Sequence, residues 1–200
     1  MVDERDEGAE LELEDRVIRV DRVRKTVKGG RIPSSRAVVV VGDGRGHVGL
    51  GVGKARQAPD AIRKALDRAK KSLIRVPLDG YTIPHMTMGK VAGAQVLLKP
   101  ASRGTGIIAG GAVRPVVELA GIRDILSKSL GSNSALNCAK AAFKALCSLA
   151  DPRAVSQARG KGIRDMLGRE YRDAYAEEPP SAPAEEAVAA AAAAAEEPEP

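Results

Sequence analysis

Between Arg16 and Val52 the apolar positions fall into three short runs separated by glycine. From Arg16 to Lys28 valines intermingle with basic residues, with Val23 and Val27 on one side of an extended chain and Arg22, Arg24, Thr26 and Lys28 on the other. Lys25 breaks the pattern and Ile18 and Val20 are in the opposite phase, which predicts a bulge or break near Asp21. Gly29-Gly30 supplies a turn. Ala37 to Val41 is a β-branched run suited to a buried strand, and Gly42-Asp43-Gly44 closes it with hairpin chemistry. A glycine-rich third strand, His47 to Val52, completes a predicted β-meander. The helix that follows has Pro59 at its first position and Asp60 at its positive end. Ile62, Leu66, Ala69 and Leu73 fall on one stripe, and Lys64, Arg68, Lys71 and Arg75 repeat that spacing about 200° around the helix. One face is expected to be core and the other a basic ridge, with Pro77 ending the unit.

A second unit starts near Leu78. Thr82–Met88 and Ala94–Lys99 read as strands separated by Gly89 and Gly93, and Pro100 stops the second. Gly104-Thr105-Gly106 through Gly110-Gly111 leads into a short helix ending near Ala120-Gly121, and Ile122–Ser127 reads as another strand. Asn133 or Ser134 caps a last main helix whose stripe is Leu136, Ala139, Phe143, Leu146 and Ala150, against Asn137, Lys140, Lys144 and Ser148. Gly162 to Glu170 reads as a further short helix. The expected class is α+β: a meander plus helix, then a small α/β sandwich domain.

Composition restricts the core and divides the chain. Trp is absent and Phe143 is the single phenylalanine, so the core is built from Val, Ile, Leu and Ala. The net charge of +6 hides a partition, because residues 1–15 hold eight acids against Arg5 alone and residues 176–200 hold seven acids and no base. Residues 16–175 therefore carry 31 bases and 11 acids, a net of +20, of which residues 16–75 supply +13. The expected organisation is an acidic disordered arm (1–15), a basic α+β domain (16–76), a second domain (77–170) and an Ala/Glu/Pro-rich disordered tail (171–200). The acidic start lacks the basic and apolar segments of a signal peptide, and Ala187–Ala195 is too short and too weakly apolar to span a bilayer. The expectation is a cytoplasmic chain without membrane attachment. Cys138 and Cys147 lie nine residues apart in a predicted helix and face opposite ways, which argues against a disulfide or a shared metal.

Three motifs imitate nucleotide sites. Gly44-Arg45-Gly46-His47-Val48-Gly49 fits the dinucleotide pattern by letter, but glycines follow it where a helix should begin. Around Gly53-Lys54 a P-loop would require glycine at Val48 and a hydroxyl at Ala55. Gly104–Ala109 has Asp124 twenty residues on, yet Asp124 begins an apolar run instead of ending a strand. His47 and His85 have no Cys, Asp or second His at ligand or general-base spacing, and no catalytic group, metal site or cofactor is expected.

The basic residues carry more. Arg22, Arg24, Lys25, Lys28 and Arg31 surround the first turn with Gly29 and Gly30, and Arg45, Lys54 and Arg56 are assigned to the second hairpin. Arg36 follows the first group, and Lys64, Arg68 and Lys71 lie on the helix. Bases without interspersed acids predict contact with a phosphate backbone, and glycine lets the main chain approach it. Scarce aromatics exclude stacking as the main mode and favour structured RNA read by shape.

Lys25-Thr26-Val27-Lys28-Gly29-Gly30-Arg31, Val40–Gly44, Val48–Arg56, Lys99–Ser102, Gly104–Arg114 and Ser129–Asn133 resemble, in order, the motifs of the bacterial small-subunit ribosomal protein S5 family over about residues 11–170. The resemblance implies an amino-terminal domain like a double-stranded-RNA-binding fold and a structural, non-enzymatic role on small-subunit ribosomal RNA where head meets body. It further implies contacts with ribosomal proteins S4 and S8, an influence on translational accuracy, and no homo-oligomer. By similarity, Lys25–Arg31 is an RNA-inserting loop, and Arg103, Gly104, Thr105, Gly106 and Arg114 border S4. The chain departs from the family at Ile32–Arg36, where aromatics are usual, and at Arg103, where Glu is usual; the reversed charge predicts an acidic group on the partner. Two other readings are a free-standing double-stranded-RNA regulator and a nucleotide-binding enzyme using Gly104–Ala109.

Overall fold

The computed structural model describes residues 12–160. The chain divides into two compact units, residues 1–155 and 156–200, and the second contributes only the end of a helix to the described residues. In the first unit, β1 (Glu14–Val27), β2 (Gly30–Gly42), β3 (His47–Ala55) and β4 (Leu73–Arg75) form an antiparallel sheet in that order, with α1 (Ala58–Lys71) between β3 and β4. A second sheet has the order β5 (Thr87–Val91), β6 (Ala94–Pro100), β8 (Ile125–Gly131), β7 (Ile107–Ile108), with β7 parallel to β8. α2 (Arg114–Leu119) joins β7 to β8, and α3 (Ala135–Cys147) and α4 (Pro152–Arg159) follow. This is the expected α+β class, a meander with its helix followed by an α/β layer.

Several boundaries differ from the sequence expectation. β2 begins at Gly30, seven residues before the apolar run, because the largely polar stretch Arg31–Arg36 pairs with β1. The turn is Lys28-Gly29, since Val27 pairs with Gly30. The register shift in β1 falls between Val17 and Arg19, earlier than Asp21. Gly89 lies inside β5 instead of ending it, and Ala92-Gly93 makes the β5–β6 turn, with Ala92 at φ 50. Residues 82–86 precede β5 and are not a strand. Ile122 and Asp124 precede β8, whose ladder runs to Gly131. α4 had no signal beyond Pro152 at its start, and the predicted helix at Gly162–Glu170 lies outside the described residues.

Helix packing corrects both predicted stripes. The α1 residues against the sheet are Ala61, Ala65 and Ala69, all fully buried, while Ile62 and Leu66 flank them half-buried. Opposite them stand Gly49, Gly51 and Gly53, where an added Cβ would overlap the carbonyl oxygens of Ala69, Ala65 and Ala61 respectively. Small residues on both elements bring helix and strand backbones into contact, which explains the glycines of β3. Gly89 repeats the arrangement against Ala141 of α3, whose buried face holds Cys138, Ala139, Ala141, Ala142, Ala145 and Leu146; Ala150 is exposed.

The Ala37–Val41 run is apolar at every position because it is buried on both faces. Ala37, Val39 and Val41 pack with α1, and Val40 belongs to a larger core with α2, α3 and the second sheet. α2 and α3 touch strands of both sheets, so the layers run α1, first sheet, α2 with α3, second sheet.

The β2–β3 turn is anchored by one carboxylate. Asp43, half-buried with its side chain almost covered, accepts from the Arg45 amide (2.7 Å), the His47 amide (2.9 Å) and His47 Nδ1 (2.6 Å). Asp43 therefore does meet His47, four residues on, and the pairing serves the turn. The Gly44 amide donates to the Leu119 carbonyl (3.0 Å), tying the turn to α2. Burial pushes the Asp43 carboxyl up, but the two amides and the imidazole outweigh it and hold the carboxyl below its usual 3.8. Asp43→Ala is expected to lower stability by about 2 kcal/mol in urea unfolding, since two amides lose their acceptor. A carboxyl with a depressed folded-state value stabilises fully above the unfolded value, so the gap between wild type and variant is full at pH 7 and closes as pH falls below 3.8. A gap independent of pH would contradict this.

Candidate nucleic-acid interface

β3 pairs with β2 only from Ser35 onward, so Gly30–Ser34 is bound to β1 alone and forms a two-stranded ribbon. Five residues carry it about 17 Å beyond the end of β3. Arg22, Arg24, Lys25, Lys28, Gly29, Gly30 and Arg31 are all exposed, and no acid occurs between Arg22 and Ser34. Arg22 is opposite Ser35, Arg24 opposite Pro33 and Thr26 opposite Arg31. Since paired residues share a face, Arg22, Arg24 and Arg31 lie together. They share the side of the sheet on which Ala37 and Val39 meet α1. Lys25 stands on the other face opposite Ile32, beside Val23 and Val27. A Cβ at Gly29 or Gly30 would touch nothing within 4 Å, and Gly30 has φ 140.

The other basic residues divide between two ends of the sheet. Ala55 pairs with Ser35, which places Lys54 and Arg56 at the root of the ribbon. Arg45 lies in the β2–β3 turn, a strand length of about 25 Å away, so Lys54 and Arg56 do not surround the second hairpin with it. Lys71, one residue before the Ser72 that bonds to Leu50, joins Arg45 at that end, and exposed Lys64 and Arg68 lie between the two groups. Because α1 is rotated by its alanine stripe, this ridge runs beside the β3 edge instead of opposite the core. Arg68 donates to the Val52 carbonyl (2.7 Å), and the Ser72 hydroxyl donates to the Leu50 carbonyl (2.9 Å), so both cover an otherwise open strand edge. Arg36 is half-buried and donates to Asp21 (2.8 Å), which also accepts from Arg19 (2.6 Å). Hydrogen bonds from Arg36 and then Arg19 hold the Asp21 carboxyl below its usual value. Arg36 and Arg68 thus stiffen the scaffold that presents the ribbon.

The glycine-rich loop is fixed by a buried acid. Asp124 Oδ1 accepts the Gly106 amide (2.8 Å), and the Ile125 amide donates to the Gly106 carbonyl (3.2 Å). Asp124 thus closes the loop and does not await a ribose. Thr105 is turned back onto Ser102 by its amide (3.2 Å) and hydroxyl (2.7 Å). Gly104 (φ 87) and Gly106 (φ 74) need the left-handed region. Exposed Arg103 lies over the Tyr81 ring, 4.6 Å from its centroid, and donates to its hydroxyl (3.2 Å); Arg123 lies 5.4 Å from the same centroid. Arg114, exposed, donates to the Ile107 carbonyl (3.1 Å) with Glu118 nearby. Tyr81 and Arg123 have no spacing signal that connects them to this loop. Arg63 and Lys70, also exposed on α1, enlarge the basic surface beyond the residues picked out by spacing.

His85 is structural: its Nε2 accepts the Ala150 amide (3.0 Å), and Nδ1 is 3.1 Å from the Met86 carbonyl. Cys138 is buried and Cys147 exposed, on different sides of α3 as their spacing predicts. Among the described residues no three His, Cys, Asp or Glu side chains converge as a metal site would require.

Residues 13–77 match the family model described as ribosomal protein S5, N-terminal domain, and residues 89–159 match that described as ribosomal protein S5, C-terminal domain. A small ribosomal subunit protein uS5 from Chloroflexus aurantiacus is 52% identical over 162 residues, covering 81% of this chain and 91% of the relative.

Proposed function

The chain belongs to the ribosomal protein S5 family, a family of small-subunit ribosomal proteins and not of enzymes. From that premise we propose that it binds small-subunit ribosomal RNA through the β1–β2 ribbon and its root, steadies the head of the subunit relative to the body, and borders S4 through the loop at Arg103–Gly106. The observation that carries the RNA reading is the ribbon itself, which projects five basic residues without an acid and ends on two glycines that leave its main chain open. Phosphates of structured RNA fit such a surface, since neutralising them releases counterions and needs no base to be unstacked. At the loop, Asp124 holds the glycines in one conformation, so a partner meets a preformed surface. A contact there that must open when the subunit closes would set how readily a near-cognate pairing is accepted. S8 is assigned as a second neighbour.

The test is sedimentation of tagged full-length chain through gradients with and without magnesium. Co-migration with small subunits is expected. A free pool at every magnesium concentration, or equal binding to generic duplex RNA, would overturn the reading.

A further inference from the structure

Among the described residues the layer order leaves one face of the second sheet without a covering layer. The second sheet turns Ala94, Val96, Leu98 and Ile125 toward α2 and α3, and its alternate residues point away. The register arranges these in three rows: Lys99, Leu126 and Ile108; Met88, Leu97 and Lys128; Lys90, Gln95 and Leu130. An antiparallel face turned to water is normally polar. Here Met88 is 54% exposed and Ile108 52%, with Leu126 and Leu130 above a third. Each row adds one lysine and none a carboxylate.

We propose that this face docks a different protein whose surface is apolar at the centre and carries Asp or Glu opposite Lys90, Lys99 and Lys128. Large contiguous apolar side chains at solvent mark a binding surface, and interleaved lysines select the partner's sign. A phosphate backbone would satisfy the lysines but give Leu126, Leu97 and Met88 nothing to pack on. A second copy in a two-fold pair would set the same patch against itself, three lysines against three. This inference rests on assembly into the small subunit, and it gives the chain a protein-docking surface separate from the loop at Arg103.

The test places photoreactive benzoylphenylalanine at Met88 of the full-length chain, isolates small subunits by sedimentation, irradiates them and identifies the adduct by peptide mass spectrometry. The expected adduct is with another protein, on a peptide bearing Asp or Glu, and its yield falls at least tenfold when Lys128 and Lys99 are both changed to glutamate. Lys144→Glu, on the exposed side of α3, is expected to leave the yield unchanged. An adduct with RNA alone, with a second copy or with the chain itself, no adduct, or a yield indifferent to the double charge reversal each overturns the proposal. If the unmodified chain does not enter small subunits at all, the assembly reading fails instead, and the sedimentation step shows it before any irradiation.

Discussion

Replacing Gly51 by alanine is expected to destabilise the chain by about 3 kcal/mol, although alanine in an extended strand ordinarily gains a few tenths to one. The reason is distance. A Cβ at this position overlaps the Ala65 carbonyl and lies 2.6 Å from the Ala69 amide nitrogen, both main-chain atoms of α1 that no rotamer change can move. The helix must lift from β3, and the fit of Ala61, Ala65 and Ala69 along the strand opens with it. Against a total of roughly 5–15 kcal/mol this is a large fraction, and Gly51→Ala with Gly53→Ala is expected to unfold the first sheet. Gly29→Ala is the matched control, because that Cβ meets open space at the ribbon turn, and its effect is expected within about 0.5 kcal/mol. Urea unfolding of the full chain measures all three. Equal effects of Gly51→Ala and Gly29→Ala would show that the helix and strand are not in backbone contact.

This packing also shows where a sequence stops being readable. Helical periodicity weights large apolar residues, so it aligns the α1 core with Ile62 and Leu66 and leaves Ala61 and Ala65 beside it. What selects the true face is the matching run Gly49, Gly51, Gly53 on a different element, and both halves of the match are too small to register as hydrophobic. The class of fold was legible because turn chemistry survives without tertiary context: Asp43 between glycines specifies a hairpin, and Pro59 opens α1. The length of the first ribbon was not. Arg31 to Arg36 is polar apart from Ile32 and includes Pro33, which reads as loop, yet cross-strand pairing with β1 holds it extended. For the site, residue types were readable and grouping was not. Arg45 and Lys54, nine residues apart, sit at opposite ends of β3, whereas Arg22 and Arg31, also nine residues apart, share a face because a turn folds one strand onto the other. Asp124 has the twenty-residue spacing of a ribose ligand; only the parallel pairing of β7 with β8 shows that it holds Gly106.

The division of charge makes the second large prediction. Changing Arg22, Arg24, Lys28 and Arg31 together to alanine is expected to weaken association with small-subunit ribosomal RNA about 100-fold and to flatten the dependence of log affinity on log salt by three to four units, because each phosphate that is no longer neutralised takes a little under one unit from the slope. All four side chains are exposed, so the fold is expected to persist. Changing Arg45 and Lys71 to alanine tests the far end of the sheet. If one RNA surface spans the ribbon and that end, this pair flattens the slope by up to two units; if the ribbon alone engages RNA, the slope is unchanged. Lys28→Glu adds a test of sign. A reversed charge at the tip repels phosphate most where screening is weakest, so it must impair binding more at low salt than at high salt. Filter binding of the full chain across a salt series reads all three variants. A ribbon variant that loses affinity equally at every salt concentration would mean that the basic residues act through shape and packing, and the electrostatic account of the ribbon would have to be abandoned even if the chain still entered the subunit.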